Sequence, residues 1–207
     1  AIGTSTMAGA LNILGNVGTD VGSNNFAWGG ANGALNSLSN NSNNIGIGSY
    51  AGRYLSTAAG NNGYNINLGH QAGYGQNGLS TYTNVTAIGY RAGYSLTTGR
   101  HNFFAGNSAG FAFTSSNYNI SLGYASSRFN NPVGDGYNVA LGFQAGYGQN
   151  GVSTYTNVIT IGNNSGYSLT TGIRNTFIGS YSGFSATTVD YAVNLGYQAG
   201  YSNSTGD

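Results

Sequence analysis

Gly73-Tyr-Gly75-Gln-Asn-Gly78 and Gly146-Tyr-Gly148-Gln-Asn-Gly151 both have the G-x-G-x-x-G spacing that lets backbone N–H groups approach a pyrophosphate. That chemistry needs a helix N-terminus immediately after the glycines and an acidic residue about 20 positions on. Here both copies continue into Ser-Thr-Tyr-Thr-Asn, and the chain has no Glu, so no cofactor is expected. Gly106-Asn-Ser108-Ala-Gly110 has the G-x-S-x-G spacing of a nucleophile elbow, which needs a strand-to-helix turn with a His and an acid as partners. The only histidines, His70 and His101, stand in no recognisable triad order. Asp20, Asp135, Asp190 and Asp207 are too scattered to suggest a glycosidase pair, and a calcium-binding β-roll would repeat an Asp in nearly every turn. The residues therefore predict no catalytic site and no metal site, and the chain reads as a non-enzyme.

The elements that carry these glycines are repeats. Residues 71–99 and 144–172 agree at 23 of 29 positions. Inside each block runs a smaller unit: an apolar residue, a marker Gly, two variable residues, a small residue and usually Gly, as in Leu68-Gly69-His70-Gln71-Ala72-Gly73. The markers are Gly29, Gly48, Gly69, Gly89, Gly106, Gly123, Gly142, Gly162, Gly179 and Gly196, separated by 17 to 21 residues. Gly69, Gly89, Gly106 and Gly123 each recur 73 residues later, so four units were duplicated together.

Before each marker the apolar residues alternate, as in Phe26 and Trp28, Ile45 and Ile47, Ile66 and Leu68, Ile120 and Leu122, Val139 and Leu141, and Val193 and Leu195. Period two predicts a strand with those side chains on one face, and they are the natural candidates for the core. An Asn usually precedes the pair, at Asn25, Asn44, Asn65, Asn102, Asn119, Asn138 and Asn175, and is expected at a corner, where Asn tolerates positive φ. No window carries a helical apolar stripe. The period predicts an all-β chain, a β-solenoid or β-roll of about ten 17–21-residue coils about 4.8 Å apart, with essentially no helix. The whole of 1–207 reads as one array. It comprises an irregular start or cap at 1–23, divergent coils at 24–68, a first block at 69–141 and a second, truncated block at 142–207. A start at Ala1 and a break in mid-repeat suggest an excised or processed piece.

Charged residues make up 4% of the 207, all Arg or Asp, for a formal charge of +1. With Arg53, Arg91, Arg100, Arg128 and Arg174 scattered, no basic stripe marks a nucleic-acid partner, and no apolar run is long enough for a membrane-spanning helix. Absence of Cys excludes a disulfide framework. Sequons at Asn40, Asn84, Asn119, Asn163 and Asn203 are ordinary in so Asn-rich a chain. Disorder is the wrong reading, because 17 Tyr, nine Phe and one Trp keep register with the repeat.

A thin coil with two or three large apolar side chains does not offset the cost of ordering its backbone, about 1–2 kcal/mol per residue. Burial between copies is the natural remedy, and intertwined or laterally packed chains, most simply a homotrimer, are expected. Tyr74, Tyr94, Phe111, Tyr147, Tyr167, Phe184 and Tyr201 follow the small-residue-Gly corner and should stack in a column. The extra length of the longer coils falls in 74–84, 128–137 and 147–157, which should project as loops. Gln76, Asn77, Tyr82 and their duplicates Gln149, Asn150 and Tyr155 are the candidates for contacting a glycan or other surface ligand.

Asn44-Ile-Gly-Ile-Gly48-Ser-Tyr-Ala51 and Asn84-Val-Thr-Ala-Ile-Gly89-Tyr-Arg-Ala92 resemble the head repeats of trimeric autotransporter adhesins. With spacers such as Thr97-Thr98-Gly99 and Thr170-Thr171-Gly172, they resemble even more closely the Gly/Asn-rich repeats of bacteriophage tail fibres. The resemblance covers about residues 10–207. It implies a homotrimeric β-rich stalk or head, extracellular or on a virion surface, that contacts a host or cell surface.

A self-assembling extracellular filament of functional-amyloid type is the alternative, since solenoid ends template growth. Its regular Gln spacing is missing, however, with Gln only at 71, 76, 144, 149 and 198. Ice binding is remote, because a Thr does not recur at one phase in every coil.

Overall fold

The computed structural model describes residues 25–29, 34–35, 43–55 and 63–205. The cap expected at 1–23, Asp20, Asp207 and the sequon at Asn40 lie outside them. Ten three-residue strands follow one another: β1 (Phe26–Trp28), β2 (Ile45–Ile47), β3 (Ile66–Leu68), β4 (Thr86–Ile88), β5 (Phe103–Ala105), β6 (Ile120–Leu122), β7 (Val139–Leu141), β8 (Ile159–Ile161), β9 (Thr176–Ile178) and β10 (Val193–Leu195). They form one parallel sheet in chain order. Register is constant, as in Ile120 opposite Val139 and Leu122 opposite Leu141. A parallel pair needs a long crossover, and here the rest of each coil supplies it without a helix among the described residues. The result is a β-solenoid, with β3 to β10 in one unbroken run of residues.

The alternating apolar pairs do not line the interior. In every described strand the central residue turns inward, and the two flanking residues turn outward, as in β5, where Phe104 is buried between an exposed Phe103 and a half-buried Ala105. Inward places are held by Asn67, Ala87, Phe104, Ser121, Ala140, Thr160 and Phe177. The physical reason lies one residue earlier. Asn44, Asn65, Asn102, Asn119, Asn138 and Asn175 are buried, and a buried Asn fixes the inward phase on itself and on the residue two positions later.

Those asparagines are not corner residues either. They form internal ladders in which each side-chain oxygen accepts from the next coil. Asn119 Oδ1 accepts from the backbone N of Asn138 (3.3 Å) and from its Nδ2 (3.0 Å), while Asn119 donates to Asn102 Oδ1 through N (2.9 Å) and Nδ2 (3.0 Å). A second ladder runs from Asn25 through Asn44 to Asn65. Val85 and Val158 close these two ladders, each donating its N–H to the last Asn at 2.9 and 3.0 Å. Positive φ falls instead on the preceding residue, which includes Tyr64, His101, Tyr118, Tyr137 and Arg174 at φ between 47° and 59°, and on Tyr191 before Ala192 at 58°. That conformation is uncommon for such side chains. Backbone bonds between coils hold it, as from Tyr118 N to Arg100 O (3.1 Å).

The marker glycines serve close stacking. Gly123 has φ +128°, and a Cβ there would be driven into the Gly142 carbonyl of the next coil. The apolar interior is divided. One cluster includes Leu55, Tyr82, Val85, Leu96, Phe104 and Phe113, and another includes Tyr155, Val158, Leu169, Phe177 and Val189. Between them the coil of β6 fills its interior with buried Ser121, Ser126, Ser127 and Asn130.

Candidate functional site

The outward pairs stack into a mostly apolar face, interrupted by Thr86 and Thr176. Ile45, Ile88, Phe103, Ile120 and Ile159 remain 37–39% exposed, although each lies between ladder neighbours; Val193 and Leu195, covered on one side only, reach 74% and 72%. Stacking therefore hides about half of each side chain, and the remainder points straight out from the sheet. No residue of the ten described strands is charged. Nine strand spacings make the face about 43 Å long and, with its flanking rings, about 12 Å wide, on the order of 500 Å². That is at the upper end of the apolar patches on monomeric proteins, roughly 300–600 Å².

Aromatic rings border this face. On the side entering the strand, His101 stacks on Tyr118 (5.1 Å, 6°) and Tyr118 on Tyr137 (5.1 Å, 4°). Beyond the marker glycines, His70 stacks on Tyr90 (5.6 Å) and Tyr124 on Phe143 (5.2 Å). Stacked rings cover one another's faces and present edges to solvent. Asp135 bonds into the first border, accepting from Asn117 Nδ2 and Tyr137 Oη at 2.9 Å each, and these bonds hold its carboxyl below the usual carboxylate range.

A third column runs along the small-residue-Gly corner. Tyr74, Tyr94 and Phe111 stack at 4.9 and 5.0 Å with interplanar angles of 3° and 2°; Tyr147, Tyr167, Phe184 and Tyr201 stack at 4.9, 5.2 and 5.1 Å. Arg128 occupies the place between the two stacks. Its guanidinium lies 5.5 Å from the Phe111 ring and 5.2 Å from Phe129, so a cation bridges the interruption. The interruption was readable in Ser127-Arg128, which stands where other coils have Gly and an aromatic.

The loop candidates divide. Gln76, Asn77, Gln149 and Asn150 are exposed at the tips of loops four coils apart, about 19 Å. Tyr82 and Tyr155 are not surface contacts: they are fully buried, at 0% and 1% exposure. Tyr82 donates its hydroxyl to Gly73 O (2.6 Å), and Tyr155 donates to Gly146 O, so each phenol ties the end of its loop back to the loop's start. Burial pushes both phenols well above the ordinary value of 10.0. The inward phase was visible in Ser80-Thr81-Tyr82, since Ser80 is also buried and alternation places Tyr82 beside it.

The residues of the enzyme-like motifs have structural partners. Ser108 donates to Asn107 Oδ1 (2.9 Å) and is buried, while His70 and His101 stand in the two different ring borders. Asp190 accepts from Ile173 N (2.8 Å), as its duplicate Asn117 accepts from Arg100 N (2.8 Å). Asn119, one of the sequons, is buried in a ladder. Among the described residues no group of three or more His, Cys, Asp or Glu could hold a metal, and no helix is long and apolar enough to cross a membrane. The chain matches no protein-family model, no curated protein and no solved structure.

Proposed function

We propose that this chain is a rod-forming segment of a non-enzymatic fibre or adhesin, working outside the cell or on a virion surface, and that it functions as a homotrimer whose copies pack through the outward sheet face. The observation that carries the reading is the uncharged Ile, Leu, Val and Phe stripe on the outside of the sheet. A face on the order of 500 Å² approaches the roughly 800 Å² per partner of an ordinary stable interface. Three parallel copies about one axis give each face two neighbours, keep coil opposite coil and leave the corner columns and loop tips outermost. Gln76, Asn77, Gln149 and Asn150 then stand at fixed heights on the rod, where they meet the host or cell surface.

The test is the mass of the native particle by light scattering, alongside the double variant Ile120→Asp, Leu122→Asp. A trimer reduced to monomer by the two charges supports the reading. A wild-type monomer contradicts it, and unlimited filaments under the electron microscope would favour end-to-end assembly instead.

A further inference from the structure

Two of the lengthened loops, 128–137 and 147–157, belong to neighbouring coils and meet side by side. Asn131 N donates to Ser153 O (2.9 Å), which locks one loop to the other. Ser153 also anchors the second loop: its Oγ accepts from Gln149 N within the loop (2.6 Å) and donates to Leu169 O of the next coil (2.7 Å). Between them lies a cup of about 210 Å³, lined by Phe129, Asn131, Asn150, Ser153 and Thr154 among others. Pockets for drug-sized ligands begin at roughly 300 Å³, so this one accommodates about one ring.

The polar groups around the cup are of a defined kind. Asn131 Oδ1 is fixed by accepting from Thr114 N (2.9 Å) and Thr114 Oγ1 (3.0 Å), which leaves its amide NH2 as an oriented, unused donor. Asn150 is exposed and spends none of its side-chain groups on the fold, and Thr154 makes only a backbone bond, from its N to Thr170 O (2.7 Å). Phe129 adds one aromatic wall, and no ionisable side chain lines the cup. A fixed amide donor, a free amide, a hydroxyl and an aromatic ring match the hydroxyls and C–H surface of a sugar, and the lining holds no charged side chain to pair with a phosphate or carboxylate.

We propose that this cup is a binding subsite for one neutral sugar ring at the end of a cell-surface glycan. The proposal rests on the reading of the loops as the contact surface and narrows it to one of the two loop copies. Asn77, the duplicate of Asn150, belongs to the first copy of the loop, four coils away.

The full chain is applied to an array of immobilised glycans ending in neutral or sialylated sugars, and separately to whole cells. Neutral-terminated glycans are expected to bind. Asn131→Asp, which keeps the oxygen that Thr114 needs and removes the donor, should weaken binding roughly three- to tenfold, and Asn150→Ala should do the same. Ser202→Ala, at an exposed position in the last described coil, should leave binding unchanged, and thermal melts confirm that each variant is folded. Absence of array binding, preference for sialylated ends, or indifference to Asn131→Asp overturns the subsite. Cell binding that persists in any of those cases leaves the contact reading standing, whereas loss of both sinks both.

Discussion

Phe103 and Phe104 are consecutive residues of one strand, and they meet opposite worlds: Phe104 is fully buried 5.1 Å from the Phe113 ring, while Phe103 is 38% exposed on the outer face. The same contrast runs along the rod. Inside the sheet stand Asn ladders, Ser, Ala and Thr with two phenylalanines, and outside stand the aliphatic pairs. In an ordinary globular domain this distribution would be reversed. The coil is therefore held by residues other than the large apolar side chains of its strands. Hydrogen-bonded columns and close glycine contacts set the coil, while an uncharged, mostly apolar face stays on the outside of the sheet.

The contrast can be broken at that one strand. Phe104→Ala should cost about 3–5 kcal/mol as a buried aromatic is lost, lowering the melting temperature at every protein concentration. Phe103→Ala should cost the isolated chain only about 1 kcal/mol, for the part of the ring that stacking hides. Its effect should appear as weaker self-association, read by sedimentation. Equal destabilisation by both variants would mean that the outer face also carries the fold of a single chain.

The interior can then be challenged without touching an apolar group. Asn119→Ala removes the Nδ2 bonds to Asn102 Oδ1, Ser116 Oγ and the Asn117 carbonyl and leaves the Asn138 backbone N–H without its acceptor. It should cost about 2–3 kcal/mol, measured by thermal or denaturant unfolding.

Tyr82→Phe strands the Gly73 carbonyl and should cost about 1–2 kcal/mol near neutral pH. The pH dependence has a defined sign. Below pH 10.0 the phenols of Tyr82 and Tyr155 are neutral in both folded and unfolded chains, and their contribution is complete. Above that value the unfolded chain ionises first, so stability falls as pH rises toward the higher folded values. The double variant Tyr82→Phe, Tyr155→Phe should flatten that alkaline loss. With only four carboxylates and no Glu in the chain, the acid limb should be shallow.

A modest effect is expected in the corner column. Tyr94→Ala loses parallel stacking on both sides, at 4.9 and 5.0 Å, and beyond its area burial this is worth about 0.5–1.5 kcal/mol.

Much of this architecture was legible in the sequence because marker Gly and apolar alternation recur in register: all ten strands end immediately before their marker glycines. The facing of the strands was not legible from apolarity, because an alternating strand has two phases and hydrophobicity favours the wrong one here. The signal that decides it is the recurrent Asn. A small amide repeated at one phase can satisfy itself from coil to coil when buried, so its column marks the inside. Tyr82 and Tyr155 went to the wrong side for a related reason: aromatic residues in a polar loop suggest display, while their alternation with Ser80 and Ser153 places them within. The cup between loops was not legible at all, since Asn131 and Asn150 are brought together only by the stacking of two coils.

The central claim is that the outer sheet face is an interface between copies of this chain. Sedimentation equilibrium across a wide concentration range, on wild type and on the Ile120→Asp, Leu122→Asp variant, tests it most directly. The expected result is a wild-type trimer and a variant monomer whose circular dichroism still shows the β-solenoid. A wild-type monomer, or a variant that stays trimeric with both charges on the face, would contradict it.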